Sequence, residues 1–214
     1  MIKISDAVQE IVDHDGFVQE AIHQGILNIS AYAKIIHPLV EDKTMKPVLR
    51  GTIVVALSRL IKHKSIFTPL LPHIQISNLS VKSSLCEVTY EKTERNQEKL
   101  SVLETSIISK EEFFAVTEGS SEITIICPAN VRTLLLKHFD IKPKAEYADL
   151  VAVTVRFSPE YLELPNAIYT LVNALAVKHI NIIEVVSTYT ELSFIIFKRD
   201  MEQTIQALNG YFQT

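Results

Sequence analysis

From Lys43 to Cys86 the chain carries no acidic residue, while Lys43, Lys46, Arg50, Arg59, Lys62, Lys64 and Lys82 supply seven positive charges. Within this stretch the run TIVVALSRLIKHK has the texture of the recognition helix of a winged or helix-turn-helix module, with Ala31–Val40 as the helix before it. Such helices turn basic and small polar residues outward. Arg50, Ser58, Arg59, Lys62 and Lys64 are therefore the candidate contacts to nucleic-acid phosphates. The connection between the two helices, roughly Glu41–Gly51, is longer than the usual tight turn of these motifs. The competing reading is a helical docking domain whose basic face packs on the acidic remainder.

Other chemistry is sparse. Gly16, Gly25, Gly51, Gly119 and Gly210 stand far apart. A phosphate cradle needs clustered glycines for close backbone approach, so neither a P-loop nor a dinucleotide fingerprint can be drawn. The histidines form no HExxH or comparable metal pair. Cys86 and Cys127 sit in strand-like runs without a His or Cys at metal spacing, and read as two reduced core thiols. No serine occupies a GxSxG elbow and no Cys–His signature appears. The expectation is a protein without catalytic residues, cofactor or metal.

Bulk properties agree with an ordinary globular chain. Of 214 residues, 47% are hydrophobic and 21% charged, and the net charge of −4 makes the whole chain no magnet for nucleic acid or anionic membrane. The opening, MIKISDAVQEIVDHDG, is acidic and amphipathic, unlike a basic leader. Apolar stretches such as Ile53–Leu57 fall far short of the roughly 20 residues that span a bilayer. A cytoplasmic protein without membrane association is expected.

The elements that must position any site divide at Pro72. Before it, helical spacing is carried by Ile4, Ala7, Val8, Ile11 and Val12, with Asp6 and Gln9 placed as a cap pair. Gly16 and Gly25 bracket a second helix over Phe17–Gln24, Ser30 can cap a third, and Thr52 opens a fourth. After Pro72, strand-like runs cover Leu79–Tyr90, Phe113–Glu118, Glu122–Cys127, Leu150–Phe157, Ile180–Ser187 and Glu191–Phe197. Helix patterns at Glu94–Ile107, Ala129–Phe139, Ala167–Lys178 and Met201–Tyr211 separate them, giving βαββα twice.

The halves also match residue against residue. Val116, Glu122, Ile123, Thr124, Ile125 and Ile126 align with Val185, Glu191, Leu192, Ser193, Phe194 and Ile195 at one offset of 69. A constant offset with a shared element order points to an internal duplication.

Residues 149–212 resemble an ACT domain, a ferredoxin-like βαββαβ module, and are closest to the paired modules of aspartate kinases. The resemblance is carried by Pro165-Asn166-Ala167 turning into a helix, the Leu171, Leu175 and Ala176 stripe, Ile180-Asn181-Ile182 opening a strand, and the hairpin from Thr188 to Phe194. It is weaker over 78–139 and absent from 1–72. Two departures stand out. Asn166 occupies a turn where the family usually has glycine, and the last strand of the second module is missing. That strand must come from the neighbouring module, from a partner chain, or from Ile74–Leu79.

The resemblance implies binding of an amino acid and a regulatory role, with sites that often lie between modules or across a dimer. Here the start of the helix at Pro165, Asn166, Ala167 and Ile168 would meet a carboxylate, because unpaired N–H groups and the helix dipole favour negative charge. Asn181, Ile182 and Glu184 would hold the ammonium group.

The reading is an α+β protein, with an all-α module over 1–72 followed by two ferredoxin-like, ACT-like βαββα units over 73–145 and 146–214. It would be a homodimeric, non-catalytic regulator that senses a small metabolite and acts on DNA or a metabolic enzyme. A regulatory subunit of an amino-acid biosynthetic enzyme, or a dimerising scaffold without ligand, are the alternatives.

Overall fold

The computed structural model describes residues 2–62, 70–106 and 113–212. Contacts divide the chain into two units, Met1–Pro72 and His73–Thr214.

The first unit packs four helices, α1 (Ile4–Asp13), α2 (Gly16–Gln24), α3 (Ile29–Thr44) and α4 (Arg50–Lys62). Their apolar stripes converge in one core of Ala7, Val8, Val12, Ile22, Ala33, Ile36, Val40, Ile53 and Leu57. Asp15 caps α2 by accepting the Val18 N–H at 3.1 Å, and Gly25 closes it in the left-handed conformation at φ 76°. Three expected helix starts differ: α4 begins at Arg50, two residues before Thr52. α1 already opens after Lys3, and the Gln9 amide donates instead to Asp13 at 2.7 Å. α3 is capped by Asn28, which accepts the Ala31 N–H at 3.0 Å, so Ser30 lies inside the helix.

The connection expected at Glu41–Gly51 contracts to Met45–Leu49. α3 runs on to Thr44, whose hydroxyl donates to the Val40 carbonyl at 2.7 Å, and Met45 ends it at φ 53°. The Glu41 carboxylate accepts the Val48 N–H at 2.9 Å and ties the turn back to the helix.

The second unit is α+β. Its order is β1 (Ile76–Glu91), α5 (Glu94–Ser106), β2 (Ala115–Glu118), β3 (Glu122–Pro128), α6 (Arg132–Phe139), β4 (Ala145–Phe157), α7 (Ala167–Ala176), β5 (Ile182–Ser187), β6 (Glu191–Phe197) and α8 (Met201–Asn209). One antiparallel sheet holds all six strands in the order β2-β3-β1-β4-β6-β5. The duplication is visible in the register: Val116 faces Ile125 and Val185 faces Phe194, the same pairing 69 residues on. Thr89 bonds Thr124 at 3.0 Å, and Thr154 bonds Ser193 at 2.7 Å, at matching places in the two modules.

β1 and β4 each serve both modules. Leu85–Glu91 of β1 pairs with β3 as the first strand of module one, while Ile76–Lys82 runs beside Ala152–Phe157 of β4. That earlier half is the strand missing from module two. β4 reciprocates, with Ala145–Leu150 lying beside Leu85–Thr89. Leu85 faces Leu150 at the changeover, flanked by register shifts and by Ser84 at φ 60° and Asp149 at φ 54°.

One sheet face carries the helices. Cys86, Val88, Tyr90, Ile123 and Ile125 pack on Leu100, Leu103, Leu135 and Phe139 in module one. Val151, Val153, Val155, Phe194 and Ile196 pack on Leu171, Leu175 and Leu208 in module two. The other face gathers Leu85, Ile126, Leu150, Ala152 and Ile195.

Candidate functional site

The end of β4 builds a cavity. The chain leaves the sheet at Phe157, makes a short 3-10 turn over Pro159–Leu162, and reaches Asn166 in the left-handed conformation at φ 67°. Asparagine tolerates this region better than most residues, so the turn forms without glycine. The Asn166 carbonyl accepts the Thr170 N–H at 2.9 Å and the Thr170 hydroxyl at 3.0 Å, which fixes the first turn of α7.

Under this turn lies a cavity of about 300 Å³. Ile74, Phe157 and Leu171 line it together with Tyr161, Leu162 and Leu164 from the connection. Asn166, Ala167, Ile168 and Tyr169 of the helix start and Ser187 from the end of β5 complete it. Among the described residues no lining side chain carries a charge. The Tyr161 hydroxyl accepts the Gln75 N–H at 3.2 Å, which holds the connection against the strand that leads into β1.

Three expected residues, Asn166, Ala167 and Ile168, thus line one cavity, with exposed Pro165 just before them. The Ala167 N–H is donated to the Leu164 carbonyl at 3.3 Å. The N–H groups of Ile168 and Tyr169 fall in the first turn, where no carbonyl four residues back within the helix can accept them.

Asn181, Ile182 and Glu184 are not brought to this cavity. α7 has 10 residues and so is ~15 Å long. Its start and the strand that follows it therefore lie at opposite ends. It is Ser187, the far end of β5, that returns to the cavity. Asn181 is exposed, and Ile182 packs into the helix-side core. Glu184 accepts the Thr117 hydroxyl of β2 at 2.6 Å. Within one chain the expected two-ended site is not assembled.

The matching corner of module one is built around a buried side chain. There the Asn96 N–H donates to Thr93 Oγ1 at 3.2 Å, and the Asn96 amide donates to the Glu91 carbonyl at 2.7 Å. Asn96 is buried, and Glu94 sets a carboxylate in the first turn of α5.

Sequence reasoning missed Ile74, Phe157, Tyr161, Leu162, Leu164 and Ser187. The signal was present in Tyr161, Leu162 and Leu164, three large apolar residues in a connection between Pro159 and Pro165.

In the helical unit, Arg50, Arg59 and Lys62 are exposed, and the Ser58 hydroxyl donates to the Val54 carbonyl at 2.8 Å. Lys64 lies outside the described residues. Arg59 joins Lys3 and Lys46 in a cleft of about 530 Å³ between α1 and α4, with Ser5 and Thr52 beside them. Lys3 and Lys46 were not foreseen as partners of Arg59, because they come from other parts of the chain.

Some buried groups titrate unusually. Burial, and then the charge of Glu184, push Glu87 up to about 7, and its Oε2 has no hydrogen-bond partner among the described residues. The Cys86 and Cys127 sulfurs lie 3.6 Å apart as free thiols, and their shared hydrogen bond and burial hold the Cys127 proton. Among the described residues no group of three or more His, Cys, Asp or Glu could hold a metal ion. No helix among them is long and apolar enough to cross a membrane.

Comparison with solved structures defines the class: the fold is that of the paired ACT-like modules of aspartate kinase regulatory regions. The ligand-free regulatory subunit of aspartate kinase from Thermus thermophilus matches with a TM-score of 0.52 at 13% identity, covering 64% of this chain and 99% of that one. Aspartate kinase from Clostridium acetobutylicum matches with a TM-score of 0.53 at 12% identity, covering 67% of this chain but only 36% of that enzyme. Aspartokinase III from E. coli, in complex with aspartate and ADP, gives 0.52 at 13% identity over 64% of this chain and 34% of its own. No protein-family model and no curated protein matches the sequence.

Proposed function

We propose that this protein is a non-catalytic regulator that senses a small metabolite, an amino acid, in the cavity at the start of α7. The observation that carries the reading is the cavity itself. It is close to the lower end of ligand-pocket volumes, roughly 300–1,000 Å³, and has the first-turn N–H groups of a ten-residue helix at its rim. A free amino acid presents a carboxylate that such a helix start attracts, and module two shares its fold with regulatory subunits.

The partner would be engaged through the helical unit. Lys3, Lys46 and Arg59 concentrate positive charge in one cleft, which favours a polyanion such as DNA and a transcriptional role in a cytoplasmic homodimer. The second reading, a regulatory subunit of an amino-acid biosynthetic enzyme, draws on the Thermus neighbour, which is itself a separate regulatory subunit.

A thermal-shift screen of the whole chain against the twenty amino acids tests the sensor. A saturable rise in melting temperature with one chemical group of them is expected. Asn181→Ala should leave that rise intact, since Asn181 lies at the opposite end of α7. Loss of the rise would show that the site is completed by Asn181 of a second chain.

A further inference from the structure

Resting on the amino-acid reading of the α7 cavity, we infer that the cavity selects an effector with an apolar side chain, branched aliphatic or aromatic, and admits one such molecule per chain. The walls decide the first part. Ile74, Phe157 and Leu171 are buried apolar residues at 2%, 7% and 1% exposure, and Leu162 and Ile168 present apolar surface at the mouth at 48% and 51%. A side chain seated among them removes both its own surface and that of the rim from water.

The polar groups set a limit. The helix start can accept a carboxylate. Tyr161, Tyr169 and Ser187 bring hydroxyl groups to the lining for an ammonium, although Ser187 already donates to the Thr188 carbonyl at 3.3 Å. Those groups match the two charges every amino acid carries. With no Asp, Glu, Lys, Arg or His among the described lining residues, a third charge on a lysine or aspartate side chain would be desolvated without a partner.

Module one supplies the count. At its matching helix start buried Asn96 bonds Thr93 and the Glu91 carbonyl, and Glu94 sets a carboxylate in the first turn. The Asn96 side chain occupies the place at which a second effector would meet the helix start.

Calorimetric titration of the full chain with leucine, isoleucine, valine, phenylalanine, methionine, lysine, threonine and aspartate, each alone, tests this. One or more of the apolar set should bind at one molecule per chain, about tenfold or more tighter than lysine or aspartate. The variant Ile168→Glu places a carboxylate on an exposed rim position at a helix start, where it suits the fold, and should weaken apolar binding by about tenfold or more. Preference for lysine or aspartate would overturn the selectivity while leaving the sensor standing. Apolar binding unchanged in a folded Ile168→Glu, or two molecules per chain, would overturn the inferred site. Binding by none of the eight, with none active in the twenty-member screen, would remove the sensor reading and the selectivity with it.

Discussion

Thr117, on one edge strand of the sheet, donates its hydroxyl proton to Glu184 on the opposite edge strand at 2.6 Å. Edges of a six-stranded sheet meet only if the sheet curls strongly, and here it curls away from the helices, around Leu85, Ile126, Leu150, Ala152 and Ile195. The duplicated modules thereby enclose a second core drawn from strands, with Glu87 buried beside it. Glu184, which the sequence suggested as an ion partner for a ligand, is engaged in closing the sheet.

Stability should depend on pH through Glu87. Its carboxyl is raised to about 7 from an ordinary 4.5, so the stability of the neutral form is full below the ordinary value and is lost as pH rises through about 7. A shift of that size corresponds to about 3 kcal/mol between the limits. The melting temperature of the wild type is therefore expected to fall between about pH 5 and about pH 8. Glu87→Gln should flatten this fall and melt higher than wild type at the alkaline end. A slope that survives in the variant assigns the titration to another group.

Leu85 and Leu150 face each other where β1 and β4 change from one module to the other, and both are buried. Truncating either to alanine should cost about 2–5 kcal/mol in urea unfolding. Because the two touch one space, the double variant should lose less than the sum of the singles. Strict additivity would show that the two modules do not share this junction.

Asn166 should tolerate glycine and reject β-branched residues. At φ 67° a glycine carries no Cβ penalty, so Asn166→Gly is expected to melt higher than Asn166→Val, which should cost about 1–3 kcal/mol in backbone strain. Equal stability of the two variants would mean that the turn relaxes out of the left-handed region.

If the helical unit meets DNA, it does so through phosphates. Arg59→Ala with Lys62→Ala should weaken binding alike on all duplex sequences and flatten the salt dependence by up to about one unit per lost contact. Fluorescence anisotropy over a salt series reads both. No binding by the intact protein at low salt retires the DNA reading.

Local order was legible wherever its cause was local. The apolar stripe of Ala7, Val8 and Val12, the left-handed stop at Gly25, and the strand Glu191–Phe197 all follow from nearest neighbours in the chain. The duplication was legible too, because equal spacing in sequence became equal register between β2–β3 and β5–β6. The fourth helix and its basic face were visible, while the cleft with Lys3 and Lys46 was not.

By itself, the amino-acid sequence determined the α+β class, the helical unit before Pro72, the repeated βαββα order and the turn at Asn166 into α7. These rest on periodicity, caps and turn chemistry, which act over a few residues. Tertiary structure alone decided the rest. Polar Ala145–Asp149 became strand because β1 offers it backbone partners, and Ile76–Lys82 completed module two because β4 had an open edge. The apolar cavity needed Ile74, Phe157, Leu164 and Ser187 to arrive from four places, and Asn181 was carried away from it by the length of α7. Such contacts join residues far apart in the chain, and no local pattern records which of them will meet.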